Sequence, residues 1–210
     1  LFRLILDLIR ADKGQVLSKD QSVAQSDNWK NYTASFLDEG FLIDYLTPEE
    51  YFQFAGGLHQ MSKADIDAEL LKFTDFFNGE ILNRGKYIRD LSKGNQCKVG
   101  VVSCFIQNPE ILLLDEPFAN IDPSTQIRLK NMIREISSEK QLTTIISSHD
   151  LNHVTDVCQR ILLMEKGMII KDIETNSNTL EELEAVIDPL HFFRLNRQFI
   201  AALPAIAKIH

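Results

Sequence analysis

The sequence predicts an α/β fold, with a parallel sheet at its core and a helical subdomain set apart from it. Three features lead there. Residues 111–114 (Ile-Leu-Leu-Leu) and 143–147 (Thr-Thr-Ile-Ile-Ser) are short, uncharged runs of the kind found in strands buried on both faces. Helical patterns precede and follow each run, and strands that alternate with helices are joined by crossovers that leave them parallel. Residues 48–77, by contrast, read as two successive helices rich in Phe and Leu.

In chain order, Leu1, Leu4, Ile5, Leu8 and Ile9 recur at helical spacing, and Lys13-Gly14 follows as a C-cap would. Residues 15–17 and 32–37 are strand candidates on either side of a polar stretch. Thr47-Pro-Glu-Glu puts Thr at an N-cap, Pro at the first helical position and Glu three residues on, so a helix opens there and runs towards Met61. A second helix is expected over 64–77. Ser92 N-caps a helix through Gln107, which Asn108-Pro109 breaks. Asp122-Pro123 opens the next helix, to about Ser138, and 152–158 form a short one. Residues 161–164 and 168–171 pair as a hairpin across Lys166-Gly167.

A length of 210 residues suits one domain, or one and a fragment. The net charge of −8 argues against a general nucleic-acid or anionic-membrane surface, because both favour clustered Lys and Arg. Only the tail departs from that balance: residues 189–210 carry Arg194, Arg197 and Lys208 and no acid. Cys97, Cys104 and Cys158 are odd in number and lack CxxC spacing, which points to buried reduced thiols. No apolar run is long enough for a membrane-spanning helix. The apolar start carries Asp7 and no small-residue cleavage site, so it does not read as a signal peptide; without an initiator Met it reads as the start of a fragment.

Four short motifs carry chemistry. Asp115 and Glu116 stand at the carboxyl end of the run 111–114, the edge at which open α/β sheets bind ligands. There one carboxylate can coordinate Mg²⁺ while its neighbour polarises a water for attack on a phosphate. Taken alone, the pair also fits a strand that has simply reached solvent. Ser92 and Gly94 open a helix whose unpaired N–H groups favour an anion, and equally fit an ordinary N-cap and turn. His149 follows the strand 143–147, where an imidazole can meet charge developing on a phosphate or merely cap the next helix. Ala119–Asp122 is by itself a polar loop before a capped helix.

Together, and in this order, these motifs resemble the ATP-binding subunits of ABC transporters. Residues 91–95 are similar to that family's L-S-G-G-Q signature, with Lys93 and Asn95 as departures. Residues 111–116 look like its Walker B strand, 119–122 like its D-loop and His149 like its switch histidine. The resemblance implies a partial P-loop ATPase fold, ATP and Mg²⁺ as ligands, Asp115 on the metal and Glu116 and His149 as catalytic groups. It implies nucleotide contacts from Ser92, Gly94, Asn95 and Asp122. Counting along the family pattern puts Asp38 where a metal-touching glutamine is usual, a position that also fits an acidic loop. The implied partners are a second such subunit, bound head to tail, and a membrane permease, with no nucleic acid, at the cytoplasmic face of the membrane. The phosphate loop G-x-x-x-x-G-K-S/T is nowhere in the 210 residues, so the chain is expected to begin just after it and to be inactive in cis.

The resemblance divides the chain into an ATPase-core remnant over 1–47, a helical subdomain over 48–90, the motif-bearing core over 91–186 and a tail over 187–210. In that tail Phe192-Phe-Arg-Leu-Asn-Arg-Gln-Phe-Ile200 resembles a fragment of LytTR-type DNA-binding domains. Its alternative reading is apolar packing of Phe192, Phe193, Phe199 and Ile200 on the main body. A non-hydrolysing signature donor and a DNA-binding regulator therefore stand as the other functional readings.

Overall fold

A computed structural model describes residues 1–140, 142–175 and 198–202. Its sheet has six strands: β3 (Thr33–Phe36), β4 (Ile111–Asp115), β5 (Thr143–Ser148), β6 (Arg160–Glu165), β7 (Met168–Glu174) and β8 (Gln198–Ala202), in the order β3-β4-β5-β8-β6-β7. β3, β4 and β5 are parallel, as the unbroken apolar runs predict. β8 lies between β5 and β6 and is antiparallel to both, so β6 runs in the same direction as β5. β6 turns into β7 through Lys166 and Gly167, at φ +49° and +80°. Both residues then have the left-handed conformation that a two-residue type I′ hairpin needs. A two-stranded ribbon, β1 (Leu17–Ser18) with β2 (Gln21–Ser22), precedes the sheet.

Successive strand residues face opposite layers, and the core divides accordingly. Leu112, Leu114 and Ile146 join the larger apolar cluster with the helices. Leu113 and Ile145 join Phe2, Leu6, Val23, Trp29 and Leu37 in a second cluster. Trp29, the single tryptophan, is buried there and donates its indole N–H to the Val23 carbonyl at 3.2 Å.

The helices follow their caps. α2 (Pro48–Leu58) opens on the expected capping box: Thr47 accepts from the Glu50 N–H at 3.3 Å, and the Glu50 carboxylate accepts from the Thr47 N–H at 2.9 Å. α5 (Lys93–Ile106) opens on Ser92 and α6 (Pro123–Lys140) behind Asp122. α7 (Leu151–Val157) opens on Asp150, one residue earlier than expected.

Three expectations differ from the structure. The first helix, α1, spans only Phe2–Ile5: Asp7 turns left-handed at φ +51°, and Leu8 and Ile9 are half-exposed rather than packed. The helix expected over 64–77 is two, α3 (Lys63–Leu71) and α4 (Thr74–Phe77). Between them the Thr74 hydroxyl bonds the Leu71 carbonyl at 2.8 Å, a local bond that competes with the helical ladder. In the tail, Phe199 and Ile200 belong to β8, whose backbone pairs inside the sheet. Residues 187–197 and 203–210, including Arg194, Arg197 and most of the DNA-binding resemblance, lie outside the described residues.

All three cysteines are buried, as their apolar contexts imply. Burial pushes the Cys104 and Cys158 thiols up to about 12, so neither carries thiolate character at neutral pH. Among the described residues no helix is long and apolar enough to cross a membrane.

Candidate functional site

The parallel strands β3, β4 and β5 end at one edge, and three of the residues singled out by sequence meet there. Leu112, Leu113 and Leu114 are fully buried, so Asp115 at the end of β4 is carried on a rigid strand. Its register partner on β5 is Ser147. Ser147 donates its hydroxyl proton to Asp115 Oδ1. The other oxygen of Asp115, Oδ2, accepts no hydrogen bond among the described residues.

Glu116 turns the chain out of the strand at φ +48°, a left-handed conformation that costs a non-glycine residue about 1–3 kcal/mol. Its N–H is held by the Ser147 carbonyl at 3.2 Å and the Ser147 hydroxyl at 3.0 Å. So turned, its side chain reaches His149, with Oε2 2.8 Å from Nδ1. The imidazole is 71% exposed and the carboxylate 30%. An acid and an imidazole in direct contact, facing solvent beside a second acid, can pass a proton and hold a cation.

The signature-like segment lies against the following loop. The Ser92 hydroxyl accepts from the Asn95 N–H at 3.2 Å, as an N-cap does. A side chain on Gly94 would come within 3.0 Å of the Asn120 carbonyl, so this glycine permits close approach of the 119–122 loop. Asp122 serves its own helix. Its carboxylate accepts from the Ser124 and Thr125 N–H groups, each at 3.0 Å, and from both hydroxyls at 2.6 Å. The Ser124 and Thr125 donors hold that carboxyl well below the usual range. Asp38 lies just past β3, where its carboxylate accepts from the Gly40 N–H at 2.6 Å. Neither Asp38 nor Ser92 is joined to the acidic pair by a hydrogen bond among the described residues.

Ser147 is the member of this site that the sequence reading passes over. The available signal was its place: two serines, Ser147 and Ser148, close a strand that is otherwise buried, and a buried hydroxyl needs partners. A cleft of about 360 Å³ opens elsewhere, along β3 and α5 beside Trp29, Phe41 and Tyr51, and contains none of these residues.

The donor set at the edge consists of carboxylate oxygens and suits a hard divalent cation. Among the described residues no three His, Cys, Asp or Glu side chains are arranged to hold a metal by themselves. Mg²⁺ takes one or two carboxylates and completes its shell with phosphate and water, so Asp115 would be a sufficient protein ligand for it.

A family model described as "ABC transporter" matches residues 1–119. An uncharacterized ABC transporter ATP-binding protein of Alkalihalophilus pseudofirmus is 31% identical over 166 residues, which cover 79% of this chain and 61% of that protein. The chain thus spans less than two thirds of that relative. Among solved structures, an ATP-binding subunit of an ABC transporter superposes with a TM-score of 0.76 at 19% identity, covering 91% of this chain and 80% of the other. A dimeric ATP-binding cassette in a post-hydrolysis state, bound to ADP and Pi, gives 0.73 at 19% identity over 83% of this chain and 79% of its own. These structures share the mixed α/β fold with its parallel sheet. On the family match, supported by the motif order and the fold, the chain belongs to the ABC transporter family.

Proposed function

We propose that this chain supplies part of an ATP-hydrolysing site, coupled to movement in a separate membrane permease. The observation that carries the reading is the 2.8 Å contact of Glu116 with His149 beside Asp115, at the carboxyl edge of parallel strands. In this reading Asp115 holds Mg²⁺, with Asp38 as a further oxygen ligand from the neighbouring loop. The ion, when bound, neutralises charge on the phosphates. Glu116 takes the proton of the attacking water, and His149 orients Glu116 and meets charge at the phosphate.

Ser92, Gly94 and Asn95, at the start of α5, serve a nucleotide held by a second subunit in a head-to-tail dimer. Asp122 anchors the loop between the two sites. The 48–90 segment is the subdomain that meets the permease, through exposed residues such as Phe54, Leu58 and Leu71. Residues 1–47 and 91–186 form the ATPase core together with β8 (Gln198–Ala202), and the assembly sits on the inner face of the membrane. The phosphate cradle G-x-x-x-x-G-K-S/T is not among the 210 residues. A second reading rests on the Ser92 N-cap and the close approach of Gly94 to Asn120: a subunit that lends Ser92 and Gly94 to a partner and hydrolyses nothing itself.

The test adds this chain to an ABC ATPase subunit with an intact phosphate loop and measures Mg²⁺-dependent phosphate release. Release above that of the partner alone is expected; joined ahead of Leu1 to a phosphate-loop segment, the chain should itself hydrolyse ATP, and Glu116→Gln should lower that rate about 100-fold. No gain over the partner alone, with no hydrolysis by the joined chain, sinks the reading. A gain in the mixture with a joined chain indifferent to Glu116→Gln leaves the signature donor.

A further inference from the structure

Ser147 and Ser148 are 3% and 1% exposed, at the end of a strand walled by β4 and β8. Ser148 has a local task, accepting from the Asp150 N–H at 3.1 Å at the start of α7. Ser147 does something else. A hydroxyl has one proton to give and two lone pairs. Ser147 directs its proton to Asp115 Oδ1 and one lone pair to the Glu116 N–H, so one side chain grips two consecutive acids, the last of β4 and the residue that turns out of it. Fixing Oδ1 sets the plane of the Asp115 carboxylate and leaves Oδ2 for a ligand. Holding the Glu116 N–H from both hydroxyl and carbonyl keeps that residue in the left-handed turn that points its carboxylate at His149.

We propose that Ser147 is a positioning residue: its hydroxyl orients Asp115 towards the divalent cation and holds Glu116 in place for His149. This rests on the nucleotide-site reading above. Partners that orient a metal ligand typically change metal affinity by 10- to 100-fold when removed, whereas a serine that only fills space changes stability and not the response to metal.

The experiment measures binding of trinitrophenyl-ATP to the full chain, with Mg²⁺ and with EDTA, for the natural protein, Ser147→Ala and Ser147→Thr, each alongside a thermal melt. The natural chain should bind more tightly with Mg²⁺. Ser147→Ala should lose about 10-fold of that Mg²⁺ enhancement at unchanged affinity in EDTA, and Ser147→Thr should retain it. Where the threonine methyl is not accommodated, Ser147→Cys keeps the side-chain size with a weak donor and should fall with Ser147→Ala. Full Mg²⁺ enhancement in Ser147→Ala overturns the role of Ser147 and leaves the nucleotide site standing. A natural chain with no Mg²⁺-enhanced binding overturns the nucleotide site, and the role of Ser147 with it.

Discussion

His153 sits where its neutral form is favoured. Its ring lies 4.9 Å from that of Phe118, its Nε2 is 3.6 Å from Asp150, and its Nδ1 is buried with no hydrogen-bond partner among the described residues. A proton added at Nδ1 would be a buried donor with no acceptor. Burial accordingly holds this histidine below its ordinary pKa; Asp150 and Asp156 pull the other way and Lys130 adds to the depression. The unfolded chain, with an ordinary histidine near 6.5, binds the proton first. Stability is therefore lost as pH falls through about 6.5 and levels off once the folded form is protonated too. Melting temperature should drop between pH 7.5 and 5.5, and His153→Gln should flatten that slope. An unchanged slope in the variant would place the acid sensitivity elsewhere. Nothing in the sequence around Asn152-His153 announced this, because Phe118 comes from a different part of the chain.

At the scale of elements, the contact of α5 with β3 is set by a glycine. A methyl group on Gly100 would stand 2.2 Å from Phe36 Cε2, a ring that is itself 5% exposed and cannot swing away. Alanine is favoured in helices by up to about 1 kcal/mol, but forcing an extra carbon into a packed core costs about 1–3 kcal/mol. Gly100→Ala should therefore destabilise the protein by about 1–2 kcal/mol in denaturant melts, and Phe36→Leu in the same chain should recover part of it. Elements of this kind were legible where the signal is local. Thr47 with Glu50, Ser92 and Asp122 mark helix starts by the bonds their side chains make within one turn, and the unbroken run before Asp115 marks a buried strand. At the break between α3 and α4 the Thr74 hydroxyl bonds the Leu71 carbonyl, a local detail that helical spacing does not record. Asp115, Glu116 and His149 were legible by type and position. The serine that joins two of them was not, because its role exists only once β4 and β5 are in register.

For the whole molecule, β8 is the element no local pattern foretold, since its place depends on the pairing of distant strands. It pairs with β5 on one side and β6 on the other, so it is what makes one sheet out of two pieces. Deleting residues 187–210 removes both ladders and leaves two interior edges with unpaired N–H and C=O groups. The truncated protein should melt earlier and aggregate, and the amides of residues 145–148 that face β8 should lose protection in hydrogen exchange. Unchanged protection there would mean that β5 and β6 close on each other without it. The division of the core offers a way to follow such events. Because the single indole lies in the layer shared by Phe2, Leu113 and Ile145, tryptophan fluorescence is a spectator of one side of the sheet, away from the helices stacked across from it.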